Sequence, residues 1–176
     1  MSLIVVDVET DGQTPWDSSM VCFGAVLVKD MEQTFYGQTA PITDTWNPDA
    51  LAISGFSREQ HETFMDPALT MQDFLLWIET VSSGRPILIT DNPAFDFAWI
   101  NYYFHRYCGK NPFGFSARRI GDLWCGMKRD AFSSWKHLRK TKHTHHPVDD
   151  ARGNAEVLHI MKDMGLNLQF DVSNKI

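Results

Sequence analysis

Residues 5–12 read VVDVETDG, and the two acids in this stretch set the problem of the whole chain. The valines belong to a strand entering a core, yet Asp7 and Glu9 sit among them. On a strand, residues i and i+2 project from one face about 7 Å apart, so Asp7 and Glu9 share a patch while Val8 points away. Like charges that close resist burial unless the patch is wet, protonated or neutralised by cations. Two readings stand at this point: the strand ends near Val6 with its acids at the surface, or the acids form a site.

Working outward, residues 3–10 and 20–29 are β-rich runs separated by a loop rich in Gly, Pro, Asp and Ser, and a shorter strand-like run covers 34–39. A short helix is predicted over 47–54, closed by Gly55, and a longer one over 67–81. Residues 86–90 form an apolar strand and 93–107 an aromatic helix opened by Pro93. A further strand is expected near 119–124, a helical piece at 133–140, and a final helix at 147–164. A three-strand meander followed by helix–strand alternation predicts an α/β fold, a mixed sheet flanked by helices, in a single domain spanning 1–176.

Composition narrows the function. The 176 residues are 43% hydrophobic with 12 Phe and 6 Trp, as in a folded globular chain. A formal charge of −6 excludes a general electrostatic grip on long nucleic acid, so any phosphate chemistry is local. Cys22, Cys108 and Cys125 are scattered, without metal or redox spacing, as expected of reduced thiols in a cytoplasmic protein. The longest apolar run, 21–28, is far shorter than the roughly 20 residues a membrane helix needs, and no basic segment precedes Asp7. No membrane association is expected.

Other carboxylates occupy a related setting. In NPAFD, Asp96 follows Pro93 by three residues, and in HPVDD, Asp150 follows Pro147 by three, so both fall in the first turn of a Pro-initiated helix. Either acid alone is explained by the helix dipole. Together with Asp7 and Glu9 they supply the oxygen donors that a pair of Mg²⁺ ions, or Mn²⁺ in their place, would need for phosphodiester chemistry. The run HTHH adds an imidazole base. A transition-metal cluster of His143, His145 and His146, or an inert basic loop, are the competing readings of that run.

These residues resemble the DEDD superfamily of 3′-to-5′ exonucleases, the group that includes the proofreading subunit of bacterial DNA polymerase, RNase T and oligoribonuclease. VVDVETDG looks like the first motif, NPAFD like the second and HHPVDDARGNA like the third, in order along nearly the whole chain. The intervening NPDALAISGFS is also similar to the family's usual segment. The resemblance implies a ribonuclease H-like fold with a five-stranded mixed sheet, four metal-binding carboxylates at Asp7, Glu9, Asp96 and Asp150, and a general base at His145. His146 is the alternative base. The chain departs from many relatives at Asp91-Asn92, where His-Asn is usual, and at Pro147, where a small residue is usual.

Eight of the sixteen Lys and Arg residues lie between positions 118 and 142, leading directly to His145. Arg139 and Lys142 are therefore candidates to hold substrate phosphates. Trp16 and Phe97 are candidates to stack on bases, and the resemblance adds Thr10 near the terminal nucleotide. The expected activity is removal of 5′-nucleoside monophosphates from the 3′ ends of single-stranded RNA or DNA, RNA slightly favoured. A homo-oligomer is compatible with the sequence. The alternative is a catalytically silent nucleic-acid-binding or polymerase-associated module of the same fold.

Overall fold

The structure is a computed structural model that describes residues 1–168; positions 169–176 of the expected domain lie outside the described residues. Strands β1 (Ser2–Thr10), β2 (Met20–Leu27) and β3 (Thr34–Gln38) form the antiparallel meander, and β4 (Pro86–Thr90) and β5 (Arg118–Arg119) add in parallel on the other side of β1. The sheet order is β3-β2-β1-β4-β5, so the strand carrying Asp7 and Glu9 is central. Helices α1 (Pro48–Ile53), α2 (Arg58–His61), α3 (Pro67–Val81), α4 (Asp96–Cys108), α5 (Ile120–Lys128) and α6 (Pro147–Asp163) cover it.

The period of two along β1 divides the core. Ile4, Val6 and Val8 pack with Phe74 of α3 and Trp99 and Phe104 of α4 on one face. Val5 packs with Trp124 of α5 and Ala151 and Leu158 of α6 on the other. Asp7 and Glu9 follow Val5 onto the α6 face. All eight β2 residues are buried, as a strand covered on both faces requires.

Gly24 lets α6 reach that patch. It pairs with Asp7 across β1 and β2. A Cβ at position 24 would lie 2.3 Å from the Val148 nitrogen and 2.4 Å from the Pro147 carbonyl carbon. Only glycine admits the backbone of the first turn of α6 directly onto the sheet beside Asp7.

The mixed five-stranded sheet is as expected, but three local expectations are corrected and one short helix is added. The strand at 119–124 is two residues of β5 followed by α5, whose Ile120, Leu123, Trp124 and Met127 repeat with helical, not strand, spacing. Pro93 does not open α4: residues 92–95 form a turn in which the Asn92 carbonyl accepts from the Phe95 and Asp96 amides, both at 2.9 Å, and the helix begins at Asp96. The helical piece at 133–140 contracts to a single 3-10 turn, Lys136–Leu138. Helix α2 was not expected, although Ser57 and Gln60 form a reciprocal capping box at its start.

Candidate active site

Because β1 and β4 run parallel, their carboxyl ends open at the same edge, and the starts of α4 and α6 converge there. This convergence brings together residues 7, 9, 96, 145 and 150 from three separate segments. Ligand-capable oxygens of Asp7, Glu9 and Asp150 lie within 4.8 Å of one another. Asp96 joins Asp7, Glu9 and His145 in lining a cleft of about 430 Å³ whose outer wall is Ala50 and Ile53 of α1.

Asp96 and Asp150 are held in place. Asp96 accepts hydrogen bonds from the Thr90 hydroxyl at the end of β4 and from the Asn92 amide. Asp150, fully buried, receives Arg139 Nη2 at 2.6 Å and the Thr144 and His145 amides at 3.1 and 2.9 Å. His143 Nδ1 lies 2.7 Å from its other oxygen. These contacts fold the loop before α6 back over the Asp150 carboxylate.

The price of this convergence is electrostatic. Burial first, then the neighbouring Asp96, Asp150 and Glu9 charges, hold the Asp7 carboxyl well above the usual carboxylate range. Burial and the Asp150 and Asp96 charges push Glu9 up to about 7. Burial pushes Asp96 up to about 7 against the opposing hydrogen bonds from Thr90 and Asn92. Carboxylates raised together in one cleft could hold a cation, since a positive charge among them would oppose these shifts.

The two histidines separate. His145 turns inward, with Nδ1 3.6 Å from Glu9 Oε1. His146 turns away, its ring stacked on Tyr36 of β3 at 5.1 Å between centroids and its Nδ1 3.9 Å from Asp149. His145 also holds a left-handed backbone, φ 61°, a conformation that costs a side-chain-bearing residue free energy. Its amide bond to Asp150 fixes that conformation.

A family model described as the 3′-5′ exoribonuclease Rv2179c-like domain matches residues 2–161. The chain belongs to this family. It is 31% identical to the 3′-5′ DNA exonuclease Cap18 of Escherichia coli, over 96% of this chain and 95% of that protein. Its fold is that of DEDDh exonucleases. The nuclease domain of 3′hExo, a DEDDh member bound to rAMP, superposes with a TM-score of 0.77 at 15% identity, covering 93% of this chain and 92% of that one. Escherichia coli exonuclease I in complex with a dT13 oligonucleotide gives 0.70 at 16% identity, covering 92% of this chain and 41% of that one. The enzyme class is therefore 3′-to-5′ exonuclease, and a silent binding module is set aside.

The remaining sequence candidates sit as follows. Thr10 is buried and its hydroxyl donates to the Gly12 carbonyl at 2.6 Å, shaping the loop at the cleft mouth. Phe97 packs against the α3–α4 core. Lys142 is exposed on the loop before His143, whereas Arg139 is engaged by Asp150. Trp16 is exposed beyond the cleft.

Four residues in or beside the site were not anticipated. Asn154 lies one turn after Asp150, and its buried Oδ1 has no hydrogen-bond partner among the described residues while sharing a 270 Å³ cavity with Asp7. An orphaned acceptor beside crowded carboxylates fits a hydrated cation. The i, i+4 spacing was available to place it. Ala50 and Ile53 had no local signal, because α1 reaches the cleft through tertiary packing. Asp11, fully buried, pairs with Arg58 at 3.1 Å and so ties α2 to the loop after β1 across 47 positions.

Proposed function

We propose that the chain is a metal-dependent exonuclease that removes 5′-nucleoside monophosphates from single-stranded 3′ ends, with Asp7, Glu9, Asp96 and Asp150 as cation ligands and His145 as general base. The observation that carries this reading is the oxygen-only cluster of Asp7, Glu9 and Asp150 within 4.8 Å, with Asp96 in the same cleft. Hard divalent cations prefer such donors, which favours Mg²⁺, with Mn²⁺ able to replace it. A pair of them bound there would stabilise the attacking and leaving oxygens of an in-line displacement at phosphorus.

The side chains supply the rest. His145 faces the cleft from an exposed loop, so its imidazole accepts the proton of the attacking water and releases it to solvent. Glu9 Oε1, 3.6 Å from Nδ1, orients the ring. Thr10 and the loop it shapes border the position of the terminal nucleotide, and Ile53 offers an apolar wall to its base. Phe97 stiffens the start of α4 under Asp96. Lys142 meets a phosphate at the rim, and Arg139, held by Asp150 at 2.6 Å, would be free to join it were that carboxylate to hold a cation.

Both sugars fall within the substrate class, with RNA the favoured one because the matching family model is described as an exoribonuclease. The name of the Cap18 relative, a DNA exonuclease, is the observation for the second reading. A matched panel of RNA and DNA oligonucleotides, single and double stranded, with product analysis from each end, decides between them. A higher kcat/KM on single-stranded RNA supports the first reading, and the reverse order supports the second. Retention of wild-type digestion by Asp96→Ala would remove the carboxylate assignment.

A further inference from the structure

Trp16 has a surface role that core packing does not explain. Its side chain is 77% exposed, it stands edge-on to Tyr102 with ring centroids 5.4 Å apart at 82°, and its open face borders a groove of about 860 Å³. One wall of the groove is the loop from Gln13 to Trp16; the other is the outer face of α4, where Ala98, Tyr102, His105 and Arg106 are lining residues. Gln13 also lines the catalytic cleft, so the groove adjoins it.

The groove starts beside a proposed ligand and leads away from it. Helix α4 begins with Asp96 and carries Arg106 ten residues later, about 15 Å along the axis at 1.5 Å per residue. That is length for a short run of nucleotides. None of the lining residues is acidic, on a chain of net charge −6. The Arg106 guanidinium lies 5.8 Å over the Tyr102 ring and donates to its hydroxyl at 2.7 Å, which fixes a cation at the far end.

We propose that this groove binds the unpaired nucleotides on the 5′ side of the scissile one, with Trp16 stacking on a base and Arg106 meeting a backbone phosphate. The proposal rests on the exonuclease reading and deepens it by giving the substrate strand its track. An apolar wall with an exposed indole suits base faces, which every nucleotide has. A cation held on aromatic rings beside an acid-free surface suits a phosphate. The site is therefore selective for single strands and tolerant of sequence: a duplex cannot offer a base face to Trp16.

The test uses the full chain and oligonucleotides of 2, 4, 8 and 12 residues sharing one 3′ end. Equilibrium binding to fluorescently labelled strands in EDTA is read by anisotropy, and KM and kcat are read in Mg²⁺. Wild type is expected to tighten from the dimer to the longer strands. Trp16→Ala and Arg106→Gln are each expected to weaken binding to the 8- and 12-mers, and to raise their KM, by about tenfold. Both variants should lower kcat/KM on the dimer far less than on the 12-mer, since neither residue lines the cleft. Length-independent binding by wild type, unchanged long-strand affinity in both variants, or equal losses on dimer and 12-mer would overturn the groove. Length- and Trp16-dependent binding without any digestion would support the groove and sink the exonuclease mechanism instead.

Discussion

Asp7→Asn should make the metal-free protein more stable while destroying its activity. The amide keeps the shape of the side chain and removes one charge from a cluster whose oxygens lie within 4.8 Å of one another. At an effective dielectric of about 20, one fully ionised pair at that separation repels by about 3.5 kcal/mol. Glu9 and Asp96 titrate near 7, Asp7 itself is raised well above its ordinary value, and Arg139 offsets part of the charge. The net gain expected in EDTA at pH 8 is therefore about 2 kcal/mol, a rise in Tm of roughly 4–8 °C for a domain of this size. The sign of the pH dependence follows from the same shifts. Acids raised in the folded state bind more protons folded than unfolded, so wild-type stability without metal falls as pH rises from about 4 to about 7. The advantage of Asp7→Asn should accordingly shrink as pH falls and approach zero near pH 4. Saturating Mg²⁺ should stabilise wild type by about 3 kcal/mol at a hundredfold excess over its Kd, and the variant by much less. Thermal unfolding followed by circular dichroism reads all three. A variant that melts at or below wild type in EDTA at pH 8 would refute the like-charge cluster.

Four other substitutions probe the frame around the acids. His145→Gly should relieve the left-handed backbone and stabilise the chain by about 1 kcal/mol in urea titration, while lowering kcat by roughly 10²- to 10⁴-fold. His146→Ala, which removes the stack on Tyr36 and the contact with Asp149, should lower kcat less than about tenfold, and the opposite order would exchange the two roles. Gly24→Ala should cost about 1–3 kcal/mol and reduce kcat, because its methyl meets the backbone at Pro147 and Val148; an unchanged Tm would show that α6 yields freely. Arg139→Met should destabilise the metal-free protein by about 2 kcal/mol, with Mg²⁺ restoring part of the loss, and equal losses with and without Mg²⁺ in thermal unfolding would exclude exchange of Arg139 for a cation at Asp150.

Where local pattern and tertiary structure agreed, the sequence was readable. The period-two run of β1 placed Asp7 and Glu9 on one face, and the three motifs predicted which carboxylates meet. In α5, Ile120 and Trp124 have strand propensity and Gly121 and Gly126 weaken a helix, so local propensity opposes the helix that the i, i+3, i+4, i+7 spacing of its apolar residues encodes. The start of α4 failed because Asn92, not Pro93, organises the turn. Asn154 was legible from its spacing to Asp150. Ala50, Ile53 and the Asp11–Arg58 pair were not, since only packing over dozens of positions brings them to the site. The choice between His145 and His146 needed a backbone angle and a ring stack, neither of which sequence spacing encodes.

The central claim is that the four carboxylates act as one cation-dependent site on a 3′ end. The measurement that meets it most directly is digestion of a 5′-labelled single-stranded oligonucleotide in Mg²⁺ by wild type and by Asp150→Asn. The account predicts a ladder shortened one nucleotide at a time from the 3′ end, nucleoside 5′-monophosphates as product, arrest by EDTA, and a rate at least about a hundredfold lower in Asp150→Asn. Digestion by Asp150→Asn at the wild-type rate, or digestion undiminished in EDTA, would contradict it.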